Sequence, residues 1–128
     1  LSNHIETFEQ HLVWCVAWGL IIQRISKNTK YQSKMNLEEL IRENKASIVD
    51  VRTPSEFAGG HVAGSINIPL QDIQARLSDL KAMTAPLILC CASGGRSGQA
   101  TYFLSQQGIE CYNGGSWLDV NYYQSKAQ

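Results

Sequence analysis

Two adjacent cysteines, Cys90 and Cys91, close the apolar run "PLIL" (86–89) and are followed by Ala92, Ser93, Gly94, Gly95, Arg96 and Ser97. A thiolate is a strong nucleophile, and small residues after it let the backbone curl and aim several N–H groups at one centre. If a helix begins just beyond, its unpaired amides and positive dipole end add to that field. The stretch therefore predicts an anion cradle with a sulfur at its floor. Such surroundings, with the Arg96 guanidinium nearby, favour S⁻ over SH. Lowering a thiol pKa from about 8.5 to about 6.5 takes roughly 2.7 kcal/mol of differential stabilisation. Cys90, last in the apolar run, reads as a small core residue at a strand end. Cys91 opens the glycine-rich loop, where a core role is hard to maintain.

The elements that must position this loop follow from periodicity. "NLEELIREN" is an amphipathic helix with Asn36 as its N-cap, "SIVDVR" a buried strand, and "GSINIPL" a second strand closed by Pro69. "LQDIQARLSDLKAM" places Ile73, Leu77 and Leu80 at helical spacing, and "PLILCC" is the continuous apolar run of a strand covered on both faces. A helix is expected from near Arg96 to Gly108, then a last strand "IECYN" and a last helix "SWLDVNYY". Strands alternating with helices imply a parallel sheet with right-handed crossovers, and in such sheets ligands bind where the loop lies, at the carboxyl ends of the strands.

Ahead of this domain, "LVWCVAWGLII" (12–22) runs eleven residues without a charge, with acidic residues before it and Arg24, Lys27 and Lys30 after it. That pattern predicts a helix, too short for a bilayer span of roughly 20 residues and without the flanks of a signal peptide. Being apolar nearly all round, with Trp14 and Trp18 one turn apart, it has to be buried, on the domain, on a second copy or at a membrane surface. The chain thus divides into a hydrophobic helix and linker (1–33) and an α/β domain (34–128). Eleven basic residues balance eleven acidic ones, so no overall field draws the protein to nucleic acid. The four cysteines, Cys15, Cys90, Cys91 and Cys111, have neither zinc-ribbon nor CxxC spacing, and the scattered His4, His11 and His61 suggest no metal site. Free thiols suit a reducing, cytoplasmic compartment, with membrane association through the helix and a periplasmic location as alternatives.

Three blocks in order, "IVDVRTPSEFAGGHVAGSINIPL", "CASGGRSGQA" and "NGGSW", closely resemble the rhodanese (thiosulfate sulfurtransferase) family, in particular its small single-domain members. The resemblance implies a rhodanese-like three-layer fold with a central parallel sheet of about five strands and helices on both faces. In that family the nucleophilic cysteine opens a loop C-x-x-G-x-R-S, and Cys91, Gly94, Arg96 and Ser97 fall on it in register. It further implies a ping-pong cycle in which Cys91 takes a sulfane sulfur from thiosulfate or a related persulfide donor and passes it to cyanide or a thiol. The amides from Ala92 to Ser97 then hold the charge, Arg96 assists the anionic donor, and no cofactor is needed. Asp50 and Arg52 match the neighbouring strand end as supporting residues, Asp50 as a structural ion pair or cap and Arg52 in that role or facing the donor. His61 matches a turn position.

Counting from Cys90 gives C-x5-R-S instead, which resembles the phosphate loop of rhodanese-fold phosphatases and of arsenate reductases. Leu89 stands where the phosphatase reading prefers histidine, so sulfur transfer is the stronger reading. A non-catalytic regulatory or binding module stays as a third, weakened by the retained Cys91. Cys111 is a second thiol that could accept sulfur or pair with Cys91 on oxidation.

Overall fold

A computed structural model of the chain describes residues 37–126. The N-terminal helix, its basic flank, Cys15 and the Asn36 cap lie outside the described residues.

Helical residues 37–42, here α1, lead into strand β1 (Ser47–Asp50). Helix α2 (Pro54–Ala58), strand β2 (Ile66–Asn67), a 3₁₀ turn (Leu70–Asp72) and helix α3 (Leu77–Ala82) follow. Strand β3 (Leu87–Cys91), helix α4 (Gly95–Gln106), strand β4 (Cys111–Ser116) and helix α5 (Trp117–Ser125) complete the order. The strands pair in parallel in the order β2-β1-β3-β4. β3, all five residues of which are buried, is therefore a central strand.

Because side chains alternate along a strand, β3 feeds two cores. Leu87, Leu89 and Cys91 join Val49, Val51, Ile68, Leu80, Ala100 and Leu104 on the face covered by α3 and α4. Ile88 and Cys90 join Ile41, Ile48, Val62 and Val120 on the face covered by α1 and α5. The result is the expected three-layer α/β architecture, with helices on both faces of a parallel sheet.

Three expectations need correction. The sheet has four strands among the described residues, the four read from the sequence, not the about five that the resemblance implies. Residues 70–83 are not one helix. Leu70, Ile73, Leu77 and Leu80 all reach the same core, but the 3₁₀ turn ends before Arg76, whose backbone (φ −105°, ψ 23°) leaves the helical region and starts α3 afresh. The last strand is Cys111–Ser116 rather than 109–113. It carries a bulge, in which Leu89 faces Asn113 while Cys90 faces Gly115, so that Gly114 is the extra residue. A Cβ on Gly114 would lie 2.8 Å from Ile88 and 2.9 Å from Val120, so only glycine lets α5 close on the sheet there.

Candidate active site at the end of β3

β3 ends at Cys91 and α4 begins at Gly95, so the connecting loop is Ala92, Ser93 and Gly94. Gly94 caps α4 with φ 104°, a left-handed conformation that side chains disfavour, and a Cβ on it would stand 3.3 Å from the Gly115 Cα. This turn points the first amides of α4 back at the sulfur. The Gly94 N–H donates to Cys91 Sγ at 2.9 Å, and the buried Ser97 hydroxyl lies 3.4 Å from the same atom. Ala92, Ser93 and Gly95 are exposed above it, whereas Cys91 itself is only 1% exposed.

Burial pushes the Cys91 thiol up and is the largest single influence on it. The Ser97 hydroxyl and the backbone N–H groups of Ser97, Gly94 and Ser93 together outweigh burial and bring the thiol down to about 7. The loop therefore favours the thiolate of Cys91 far more than water would.

Cys90 has the opposite surroundings. It is fully buried on the other face of β3, and burial, followed by the charge of Asp50, pushes its thiol up to about 12. A loop counted from Cys90 would need that sulfur to face the amides, and it faces away from them. Cys111 pairs with Leu87, four residues down β3 from Cys91. That is about 13 Å at the rise of a strand, beyond the roughly 7 Å Cα separation a disulfide spans.

Asp50 and Arg52 form a closed unit at the end of β1, on the Cys90 side of the sheet. The Arg52 Nε and Nη2 donate to the Asp50 carboxylate at 2.7–3.0 Å, Nη1 donates to the Glu56 carbonyl and Nη2 also to the Gly60 carbonyl. The Trp117 ring lies 4.7 Å from the guanidinium carbon. Asp50 is 0% and Arg52 4% exposed, and all three guanidinium nitrogens are engaged within the protein. His61 stacks on Phe57 and its Nδ1 donates to the Phe57 carbonyl at 2.8 Å, closing the turn after α2.

Arg96 is likewise paired, with Nη1 and Nη2 donating to the two oxygens of Glu56 at 2.8 and 3.0 Å. Hydrogen bonding to Arg96, then the Thr53 N–H, holds the Glu56 carboxyl down at about 2. Glu56 has no role in the sequence reading, although "TPSE" carries its signal. Thr53 caps α2, Pro54 takes its first turn, and Glu56 at the third helical position returns a bond to the Thr53 N–H, a capping box. The carboxylate that closes this box also holds the arginine of the sulfur loop. Asn113 is a second omission. It accepts the Ser97 hydroxyl at 2.7 Å and donates to the Gly94 carbonyl at 3.1 Å, and the bulge that aims it could not be read from "NGGSW".

The rhodanese-like domain model matches residues 33–118, which take in every strand and the whole loop. The uncharacterized protein YqhL of Bacillus subtilis is 35% identical over 109 residues, 83% of this chain and 80% of that one. The thiosulfate sulfurtransferase GlpE of Pseudomonas aeruginosa is 38% identical over 69 residues, 54% of this chain and 62% of the relative. Among solved structures, the human single-domain sulfurtransferase TSTD1 superposes with a TM-score of 0.56 at 25% identity, covering 66% of this chain and 88% of that one. Four parallel strands in this order, a loop of amides at the end of the central one and a family match that spans both agree with each other: the chain belongs to the rhodanese-like domain family.

Proposed function

We propose that the protein is a sulfurtransferase that carries sulfane sulfur on Cys91. The observation that carries the reading is one sulfur, Cys91 Sγ, lowered to about 7 by amides and a hydroxyl at the end of β3. In the first half-reaction the thiolate attacks the outer sulfur of thiosulfate. The new Cys91 S–S bond takes the thiolate pair, the S–SO₃ bond breaks, and its pair leaves with sulfite, so that Cys–S⁻ and S₂O₃²⁻ become Cys–S–S⁻ and SO₃²⁻. A persulfide donor reacts the same way and releases a thiolate. In the second half-reaction cyanide or a thiolate attacks the outer sulfur, and the S–S pair returns to Cys91.

The amides of Ser93, Gly94 and Ser97 hold the anionic sulfur without reorganising. Ala92 and Gly95 leave room for the donor. Because Cys91 is almost covered, a slender terminal sulfur reaches it more readily than a bulky group. Arg96, held by Glu56, shapes the loop and leaves the amides as the main anion contact. Asp50 and Arg52 pair at the end of β1, the strand beside β3, and the sulfurtransferase relatives are consistent with the assignment. Steady-state transfer from thiosulfate to cyanide tests it. Parallel double-reciprocal lines are expected, whereas no turnover with thiosulfate or any persulfide donor would overturn it.

A further inference from the structure

The Asn113 side chain makes three hydrogen bonds around the loop. Its Oδ1 accepts from the Ser97 hydroxyl at 2.7 Å and from the Gly115 N–H at 3.0 Å, and its Nδ2 donates to the Gly94 carbonyl at 3.1 Å. The Gly115 N–H can only donate and the Gly94 carbonyl can only accept, so the amide has one satisfied orientation. That orientation turns an acceptor, not a donor, toward Ser97. The β4 bulge puts it there, since Asn113 still faces Leu89 on the α4 side while the chain turns immediately after it.

Ser97 is fully buried and its hydroxyl has one proton with two acceptors in reach, Asn113 Oδ1 at 2.7 Å and Cys91 Sγ at 3.4 Å. Both cannot be served at once. While Cys91 is a thiol, its S–H can point at the Ser97 oxygen and the hydroxyl stays on Asn113. Once Cys91 is a thiolate, the hydroxyl reaches Sγ only by leaving Asn113, which sets two oxygens against each other with no proton between them.

We propose that Asn113 is a positioning residue acting through Ser97: it retains the hydroxyl proton until charge develops on Cys91 Sγ, and so sets how readily the thiolate forms. In the persulfide the charge moves to the outer sulfur and the hydroxyl returns to Asn113. The proton swings between two acceptors as sulfur arrives and leaves, and no covalent bond changes in the swing. The charged groups nearest this corner are paired with one another, Glu56 with Arg96 from α2 and α4 and, toward the Cys90 side of the sheet, Asp50 with Arg52 from β1 and its loop. On its own strand Cys90 points to the opposite face, and Cys111 of β4 lies four residues down.

The inference rests on Cys91 as the reacting thiol, and its test reads thiol titration rather than turnover. The rate of iodoacetamide alkylation at Cys91 is followed against pH by peptide mass spectrometry in the full chain, its Asn113→Ala and Ser97→Ala variants, and the double variant. A residue that merely braces the loop would, on removal, let the amides drift and move the midpoint to higher pH. The swing predicts the opposite sign. Asn113→Ala frees the hydroxyl for Sγ and lowers the midpoint by about half a pH unit, roughly threefold more thiolate at low pH. Ser97→Ala raises it, and adding Asn113→Ala to Ser97→Ala brings no fall. Asn113→Leu, close in shape and without polar atoms, gives the same reading should the alanine variant lose its fold. A rise or no change in the Asn113 variants, or a fall that persists without Ser97, overturns the inference. A protein that shows the predicted titration and no persulfide would instead overturn the sulfurtransferase reading alone.

Discussion

Cys90 and Cys91 are the same side chain on consecutive residues of one strand, yet one thiol stands near 12 and the other near 7. Cys90 looks into an apolar core with Asp50 beside it, and Cys91 looks into a loop whose amides point at its sulfur and whose Ser97 hydroxyl stands 3.4 Å from it. The face of the strand separates them, because a single residue step turns a side chain through the sheet. Each face also has its own ion pair. Asp50–Arg52 is sealed under Trp117 on the Cys90 side, and Glu56–Arg96 is half-exposed beside the loop. The first is sealed within the fold; the second fixes the guanidinium of the loop after Cys91.

The sharpest way to break this comparison is to exchange the sulfurs one at a time. Cys91→Ser should lower kcat/KM for sulfur transfer at least about a thousandfold, since the nucleophile is gone. Cys90→Ser should stay within a few-fold of the parent and lose about 1–2 kcal/mol of stability for a hydroxyl placed in an apolar site. Equal losses of transfer would mean that the two faces are not chemically distinct. Next in size is the sealed ion pair. Asp50→Ala leaves the buried Arg52 guanidinium without its carboxylate and should cost about 3–5 kcal/mol in urea unfolding, and a change under about 1 kcal/mol would show that solvent reaches the pair.

The difference between the thiols should also appear as a pH dependence. Alkylation of Cys91 should reach half its plateau near pH 7, while Cys90 stays unlabelled through pH 9 in the folded protein. The smallest expected effect lies at the exposed pair. The Glu56 carboxyl sits at about 2 when folded against 4.5 when free, so its contribution to stability is complete above pH 4.5 and is lost as pH falls toward 2. Glu56→Gln should flatten the stability profile across that window, and an unchanged slope would place the acid sensitivity elsewhere.

The choice between the sulfurs was legible in the chain, because Cys90 ends the apolar run and Cys91 opens the glycine-rich loop. That they face opposite sides of the sheet emerges only with the strand, where Leu87, Leu89 and Cys91 alternate against Ile88 and Cys90. The five residues of α2 escaped notice because so short a helix shows little periodicity, and its signal lies in the cap Thr53, Pro54 and Glu56. Residues 70–83 read as one helix because Ile73, Leu77 and Leu80 satisfy a 3₁₀ turn followed by a helix equally well. Asn113 was hidden for a different reason. A bulge redirects it, and the glycines that permit the bulge look in sequence like the end of a strand.

The central claim is that sulfur is carried on Cys91 and not on Cys90. The most direct test is an intact-protein mass spectrum after brief exposure to excess thiosulfate and removal of the excess, beside Cys91→Ser and Cys90→Ser variants. A gain of about 32 Da in the parent and in Cys90→Ser, absent from Cys91→Ser, is the predicted result. A gain that survives in Cys91→Ser and vanishes in Cys90→Ser would contradict the account.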